Sequence, residues 1–263
     1  IGEIAVKCPF FNEIKDDQSK VPDYINSELD SVINKKSDRP KEPKNIVLYG
    51  FGRIGRLVAR MMTQTTGPGN YFILKAIVIR KGSEDDIFKR ASLLTKDSVH
   101  GPFDGTVRVD EENSNLVING NVVNVIYASA PEEVNYSDHG IKDPIVIDNT
   151  GVWRNEDGLS KHIKSGAKKV ILTAPAKGDL KNVVHGINDD ILDDEDSIIS
   201  AASCTTNAIV PVLKVINDKY GIESGHIETV HAYTNDQNLI DNFHKGDRRG
   251  RGAPLNMVIT TTG

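Results

Sequence analysis

Ile46-Val47-Leu48-Tyr49-Gly50-Phe51-Gly52-Arg53-Ile54-Gly55 decides the fold of this 263-residue chain. Four consecutive apolar residues read as a short buried strand, a glycine turn follows at once, and residues 56–63 read as a helix. G-x-G-x-x-G between a strand and a helix lets the backbone turn tightly and approach a ligand closely. The first N–H groups of the helix then meet a pyrophosphate. The bland reading is a tight turn with no ligand; the flanking elements favour a dinucleotide.

Outward from this turn the chain alternates strands and helices. Phe72-Ile73-Leu74-Lys75-Ala76-Ile77-Val78-Ile79 reads as a second strand. Residues 106–109 and 115–126 read as hairpin material around the Asn119-Gly120 turn. Pro144-Ile145-Val146-Ile147-Asp148 and Lys169-Val170-Ile171-Leu172-Thr173 read as later buried strands. The predicted fold class is α/β: a Rossmann-type, doubly wound parallel sheet followed by the start of an α+β domain. The predicted domains are an N-terminal extension and linker over 1–44, a dinucleotide-binding domain over 45–202, and part of a catalytic domain over 203–263. Within the extension, apolar residues at 25, 29, 32 and 33 have helical spacing, and the charged, proline-containing stretch 35–44 reads as a linker.

The second strand ends Val78-Ile79-Arg80-Lys81-Gly82, with Glu84 the first acid after it. A carboxylate at that strand end bonds a ribose hydroxyl, whereas Arg and Lys attract a ribose 2′-phosphate. The cofactor is therefore NAD or NADP, and the basic pair tilts the choice toward NADP.

Ser203-Cys204-Thr205-Thr206-Asn207 places a cysteine at the start of a predicted helix, with Ser203 as N-cap and Pro211 perturbing the helix further along. His231 follows 27 residues on, after a strand-like run. A thiol is a strong nucleophile only as the thiolate, and a helix N-terminus and an imidazole both favour that form. Alone, each residue has a bland alternative as a buried structural side chain. Beyond His231 the chain is polar and basic, with Thr234, Asp236, Arg248, Arg249 and Arg251, which suits a phosphorylated substrate. A nucleophile beside a dinucleotide site implies oxidation of an aldehyde through a thioester.

Composition constrains the rest. The net charge of −5 gives no global attraction to nucleic acid or to anionic membranes. No apolar run reaches the length of a membrane span. Two cysteines make neither a disulfide framework nor a zinc cluster, so no metal is predicted and a cytoplasmic location is the expectation.

Six ordered segments resemble phosphorylating glyceraldehyde-3-phosphate dehydrogenase, closest to its long-chain bacterial branch. They are residues 49–56, Asp97-Ser98-Val99-His100-Gly101, Asn149-Thr150-Gly151-Val152, Ala202-Ser203-Cys204-Thr205-Thr206-Asn207, residues 231–237, and Arg249-Gly250-Arg251-Gly252-Ala253. The resemblance implies Cys204 as nucleophile and His231 as base. It implies substrate phosphate at Thr234 and Arg251 with Asp236 supporting Arg251, and inorganic phosphate at Thr205, Thr262 and Gly263, with Ser203 counted among these binding residues. Gly50, Phe51, Gly52, Arg53, Ile54, Gly55 and Arg80 would hold the cofactor, with Thr150 and Gly151 near its nicotinamide. It also implies glyceraldehyde 3-phosphate and phosphate as partners and a homotetramer at full length.

Erythrose-4-phosphate dehydrogenase, or a non-catalytic dinucleotide-binding protein, are the alternatives. Two departures stand out: the second-strand acid is missing, and the frequent second cysteine is Ala208. The chain also stops at Gly263, inside the implied catalytic domain, so these 263 residues alone are expected to be poorly stable and inactive.

Overall fold

The structure, a computed structural model, describes residues 18–33, 42–64, 71–246 and 248–260. Cys8, Thr262 and Gly263 lie outside the described residues. The chain divides into two compact units between Glu42 and Pro43. In the first, a 3₁₀ turn (Gln18–Lys20) leads into helix α1 (Val21–Ile33), the helix its apolar spacing predicts. Pro22 lies in the first turn of α1, where its missing N–H removes no intrahelical bond.

The second unit is built on an eight-stranded sheet. Its strands are β1 (Lys44–Tyr49), β2 (Phe72–Ile79), β5 (Val107–Asp110), β6 (Asn115–Ile118), β7 (Asn121–Tyr127), β8 (Ile145–Asp148), β9 (Lys169–Leu172) and β10 (Ile198–Ser200). Two short strands, β3 (Lys96–Asp97) and β4 (Gly101–Pro102), pair separately. The order across the large sheet is β10-β9-β8-β1-β2-β7-β6-β5. Every pair from β10 to β7 is parallel, but β7–β6 and β6–β5 are antiparallel. The sheet is therefore mixed at one edge rather than parallel throughout. The cause is local: Asn119 (φ 48°) and Gly120 (φ 82°) both adopt left-handed backbone, which closes a tight hairpin.

Helices α2 (Arg53–Gln64) and α3 (Asp86–Thr95) cover one face, where Ala59, Ile87 and Leu94 meet Ile46 and Leu48 of β1. Helix α4 (Glu156–Lys164) covers the other, bringing Leu159 onto Val47, Tyr49 and Val170. The alternation along β1 follows from the strand pleat, and each fully buried aliphatic side chain contributes about 1.5–3 kcal/mol. The wrapping is doubly wound.

Helix α2 starts at Arg53, three residues earlier than the sequence reading, because the Arg56 N–H already bonds the Gly52 carbonyl at 3.0 Å. Helices α3 and α4 escaped that reading; they have only 10 and 9 residues, and α4 carries just two aliphatic side chains, Leu159 and Ile163. β1 lies between β2 and β8, so the connections leave it in opposite directions and open a crevice at the strands' carboxyl ends.

Helix α5 (Cys204–Tyr220) follows β10 and buries no residue. The strand-like run before His231 forms no strand: residues 224–234 carry no regular structure. A strand needs a neighbour for its backbone groups, and no ladder among the described residues reaches this run.

Candidate active site

The crevice holds a cleft of about 340 Å³ between the loops that follow β1, β2, β7 and β8. Gly50 has φ +88°, and a Cβ there would lie 2.7 Å from Thr150 Cγ2. A Cβ on Gly55 would press on the Gly50 carbonyl oxygen, so the turn and the helix start interlock. Gly52 differs: a Cβ there would meet no protein atom within 4 Å, and the residue lines the cleft. Two glycines thus serve the turn's packing, and the third leaves open space at the mouth of a helix N-terminus. That is the cradle a pyrophosphate requires, so the residues fit a dinucleotide.

The opposite wall is fixed by a buried pair. The Asp148 and His162 side chains are fully buried, with His162 Nε2 3.1 Å from Asp148 Oδ2. Asp148 Oδ1 accepts both the Thr150 N–H and the Thr150 hydroxyl at 2.7 Å. Asn149 donates to the Ile147 and Gly50 carbonyls, and its own N–H bonds the Tyr49 carbonyl at 2.8 Å. Thr150 is therefore held by contacts from behind the cleft, and Gly151 continues the loop at φ +64°. Arg53 and Ile54 lie largely exposed at the start of α2.

The carboxylate of Asp97 stands 3.9 Å from Arg53 and 3.7 Å from Arg56. It accepts the backbone N–H groups of His100 and Val99, then the His100 side chain, and these bonds hold it well below the usual carboxylate range.

Cys204 is positioned by a cap. Ser203 is the N-cap of α5; its hydroxyl accepts the Thr206 N–H at 3.0 Å and lies 3.1 Å from the Thr205 hydroxyl. Asn207 folds back to bond the Ala201 and Ser203 carbonyls at 2.8 and 2.9 Å. Just before the cap, Ala202 sits at φ 58°, a left-handed conformation costly for a non-glycine residue. This bend delivers Cys204 as the first residue of α5, exposed and unpaired by any disulfide. Its Sγ lies 3.2 Å from His231 Nε2. The Ala232 carbonyl, 2.5 Å from His231 Nδ1, and then the Cys204 thiol raise the His231 pKa above its ordinary value.

The polar loop differs from expectation in one pairing. Asp236 engages Thr234 and Arg249, not Arg251. Arg251 pairs with Asp241 at 2.6 Å, because Asp241 also accepts the Gly252 N–H at 2.9 Å and is thereby fixed beside it. Arg249 reaches Thr260 at 2.7 Å with its other nitrogen.

Sequence reasoning missed Arg90, Ser129 and Trp153, which also line the cleft. Ser129 was recoverable, since it follows the end of a predicted strand. Arg90 lies eleven residues beyond the β2 end with no spacing signal. Among the described residues no group of three or more His, Cys, Asp or Glu is placed to hold a metal. No described helix is long and apolar enough to cross a membrane.

The site thus combines a cleft shaped for a dinucleotide at a sheet switch point with an exposed, helix-capped cysteine against a histidine. The sequence matches "Glyceraldehyde 3-phosphate dehydrogenase, NAD binding domain" over residues 44–156 and the C-terminal domain of the same family over residues 203–263. The chain belongs to the glyceraldehyde-3-phosphate dehydrogenase family. It is 60% identical over 244 residues to a glyceraldehyde-3-phosphate dehydrogenase-like protein of Pseudomonas aeruginosa, covering 92% of this chain and 53% of that protein. It is 43% identical over 218 residues to the glyceraldehyde-3-phosphate dehydrogenase of Thermotoga maritima, covering 83% of this chain and 62% of that one. The chloroplastic A enzyme of Zea mays is 41% identical over 226 residues, covering 85% of this chain and 54% of that one. The chain thus spans roughly half to three-fifths of the length of these relatives.

Proposed function

We propose that the whole protein converts glyceraldehyde 3-phosphate and inorganic phosphate into an acyl phosphate. The observation that carries this reading is the 3.2 Å contact of Cys204 Sγ with His231 Nε2 at the head of α5, in a chain that also builds a dinucleotide cleft. Cys204 attacks the aldehyde carbon as a thiolate, with its proton passed to His231. The Cys204 N–H, in the helix's first turn, stands where the oxyanion forms. The nicotinamide, when bound, accepts the hydride. Inorganic phosphate then attacks the thioester carbon and releases Cys204. Thr234, Arg251 and Ser203 with Thr205 bind the two phosphates in this reading, and Thr262 and Gly263 complete it from outside the described residues. Asp236 acts through Arg249.

Gly50, Phe51, Gly52, Arg53, Ile54 and Gly55 cradle the cofactor, with Arg80 at its ribose and Thr150 and Gly151 at its nicotinamide. NADP is favoured over NAD. The family's cytoplasmic homotetramer is the proposed setting, with domains over 45–202 and 203–263. Residues 1–263 by themselves are proposed to be inactive, since α5 buries no side chain.

Initial rates of NAD⁺ and NADP⁺ reduction by the full-length protein test the proposal. A rate with glyceraldehyde 3-phosphate that depends on inorganic phosphate is the expected result. A phosphate-independent rate with erythrose 4-phosphate alone assigns the sister activity instead. Folded protein that binds dinucleotide, shows no turnover and alkylates Cys204 no faster than free cysteine refutes a catalytic role.

A further inference from the structure

The cleft's β2 end carries charge that the sequence reading located only in part. That end is where a dinucleotide-binding fold meets the adenosine ribose. Arg80, the first residue after β2, is exposed and lines the cleft. Lys81 turns instead over the ring of Tyr127, 5.7 Å from its centroid. Its place is taken by Arg90 of α3, which lines the cleft beside Arg80.

Arg90 is aimed by its neighbours. Its Nε donates to Asp86 Oδ2 at 3.2 Å, and its Nη2 reaches the Arg80 carbonyl at 3.5 Å. Asp86 is 4% exposed and accepts the Gly82 N–H at 3.2 Å through its other oxygen. Both Asp86 oxygens are thus engaged inside the protein and are not offered to a ribose hydroxyl. Glu133, the other carboxylate bonded to this end of the cleft, accepts the Ser129 N–H at 2.7 Å. The two carboxylates serve the scaffold, and two guanidinium groups face the ligand.

We infer that Arg90, held by the buried Asp86, forms with Arg80 a guanidinium pair that binds a phosphate on the ribose 2′-oxygen, making a 2′-phosphorylated dinucleotide the preferred ligand. The inference rests on the dinucleotide reading of the cleft and adds the residue that sets its specificity. A planar guanidinium forks onto phosphate oxygens, and a ribose hydroxyl cannot accept two such charges equally well.

Two nucleotides lacking the nicotinamide separate the two readings: adenosine 5′-monophosphate and adenosine 2′,5′-bisphosphate, titrated by calorimetry against the full-length protein. The bisphosphate is expected to bind at least about tenfold tighter, the scale of one charge-assisted contact. Arg90→Met should remove most of that ratio and change monophosphate affinity less than about twofold. Arg90→Lys, which keeps the charge and loses the fork, should lower the ratio by several-fold and covers the case in which Arg90→Met fails to fold. Asp86→Asn should lower the ratio less than Arg90→Met, because Asp86 acts only through Arg90. Equal affinities in the wild type, or a ratio unmoved by both Arg90 substitutions, would overturn the inference while leaving the dinucleotide site standing. Binding of neither nucleotide to folded protein would overturn the dinucleotide reading itself.

Discussion

The three glycines of the β1–α2 turn should fail in different ways when each is given a methyl group, and Gly55 and Gly52 make the sharpest contrast. A Cβ on Gly55 meets the Gly50 carbonyl oxygen, a backbone atom that cannot rotate away. Relieving that overlap requires the helix start to back off the turn. Overpacking of this kind costs about 1–3 kcal/mol. With an m value of about 2 kcal/mol/M, the urea midpoint of Gly55→Ala should fall by about 0.5–1.5 M.

Gly52→Ala meets nothing within 4 Å and needs no positive φ, so its stability should change by no more than about 0.5 kcal/mol. Its methyl group would instead stand in the space left for the pyrophosphate, and dinucleotide affinity should fall about tenfold or more. The chain's one tryptophan, Trp153, lines the cleft, so its fluorescence can follow both unfolding and binding. If Gly52→Ala unfolds early and binds normally, or Gly55→Ala keeps the wild-type midpoint, the division of labour among these glycines is wrong.

Two further outcomes follow from strain and charge. Asp97 is held below the ordinary carboxylate value, chiefly by the His100 and Val99 N–H groups, so its contribution to stability is full above the unfolded pKa of about 3.9 and is lost as pH falls below it. The midpoint difference between wild type and Asp97→Asn should therefore shrink on acidification from pH 5 to pH 2.5; a constant difference over that range would contradict the assignment. Ala202, at φ 58°, lies where glycine is at ease, so Ala202→Gly should raise stability by about 0.5–1 kcal/mol after glycine's extra unfolded-state entropy is subtracted. A lowered thermal midpoint would show that Ala202 is not strained.

The nucleotide-binding half was legible in the sequence because its signals are local. The β1 apolar run, the glycine turn and the Asn119-Gly120 hairpin each specify backbone within a few residues, and the structure forms all three, with the helix after the turn starting three residues early. The cap at Ser203 is equally local, since one hydroxyl and one N–H three residues on define it. What escaped reading depends on partners far apart in sequence. Arg90 joins the cleft only because Asp86 and the Arg80 carbonyl hold it there. The buried Asp148–His162 pair, 14 residues apart across a strand and a helix, has no spacing signature either. The pairing of Asp236 with Arg249 rather than Arg251 was settled by Asp241, a residue that no motif singled out.

The two halves of the site therefore rest on unequal foundations. The cleft walls grow from strands whose central residues are buried in the core, so their geometry is set by that core and shares its stability. Cys204 does not share that support. Helix α5 exposes Val212, Val215, Ile216 and Tyr220, contains Pro211, and buries no residue. A helix gains most of its stability from packing an apolar face, and this one has that face uncovered. The Cys204–His231 contact also spans residues 221–231, which carry no regular structure. The dinucleotide cleft thus asks only for the sheet and its loops, whereas the proposed role of Cys204 also asks that α5 and His231 be held together. Val230, Leu239, Ile240 and Phe243, each 72% exposed or more, extend that uncovered apolar surface beyond α5.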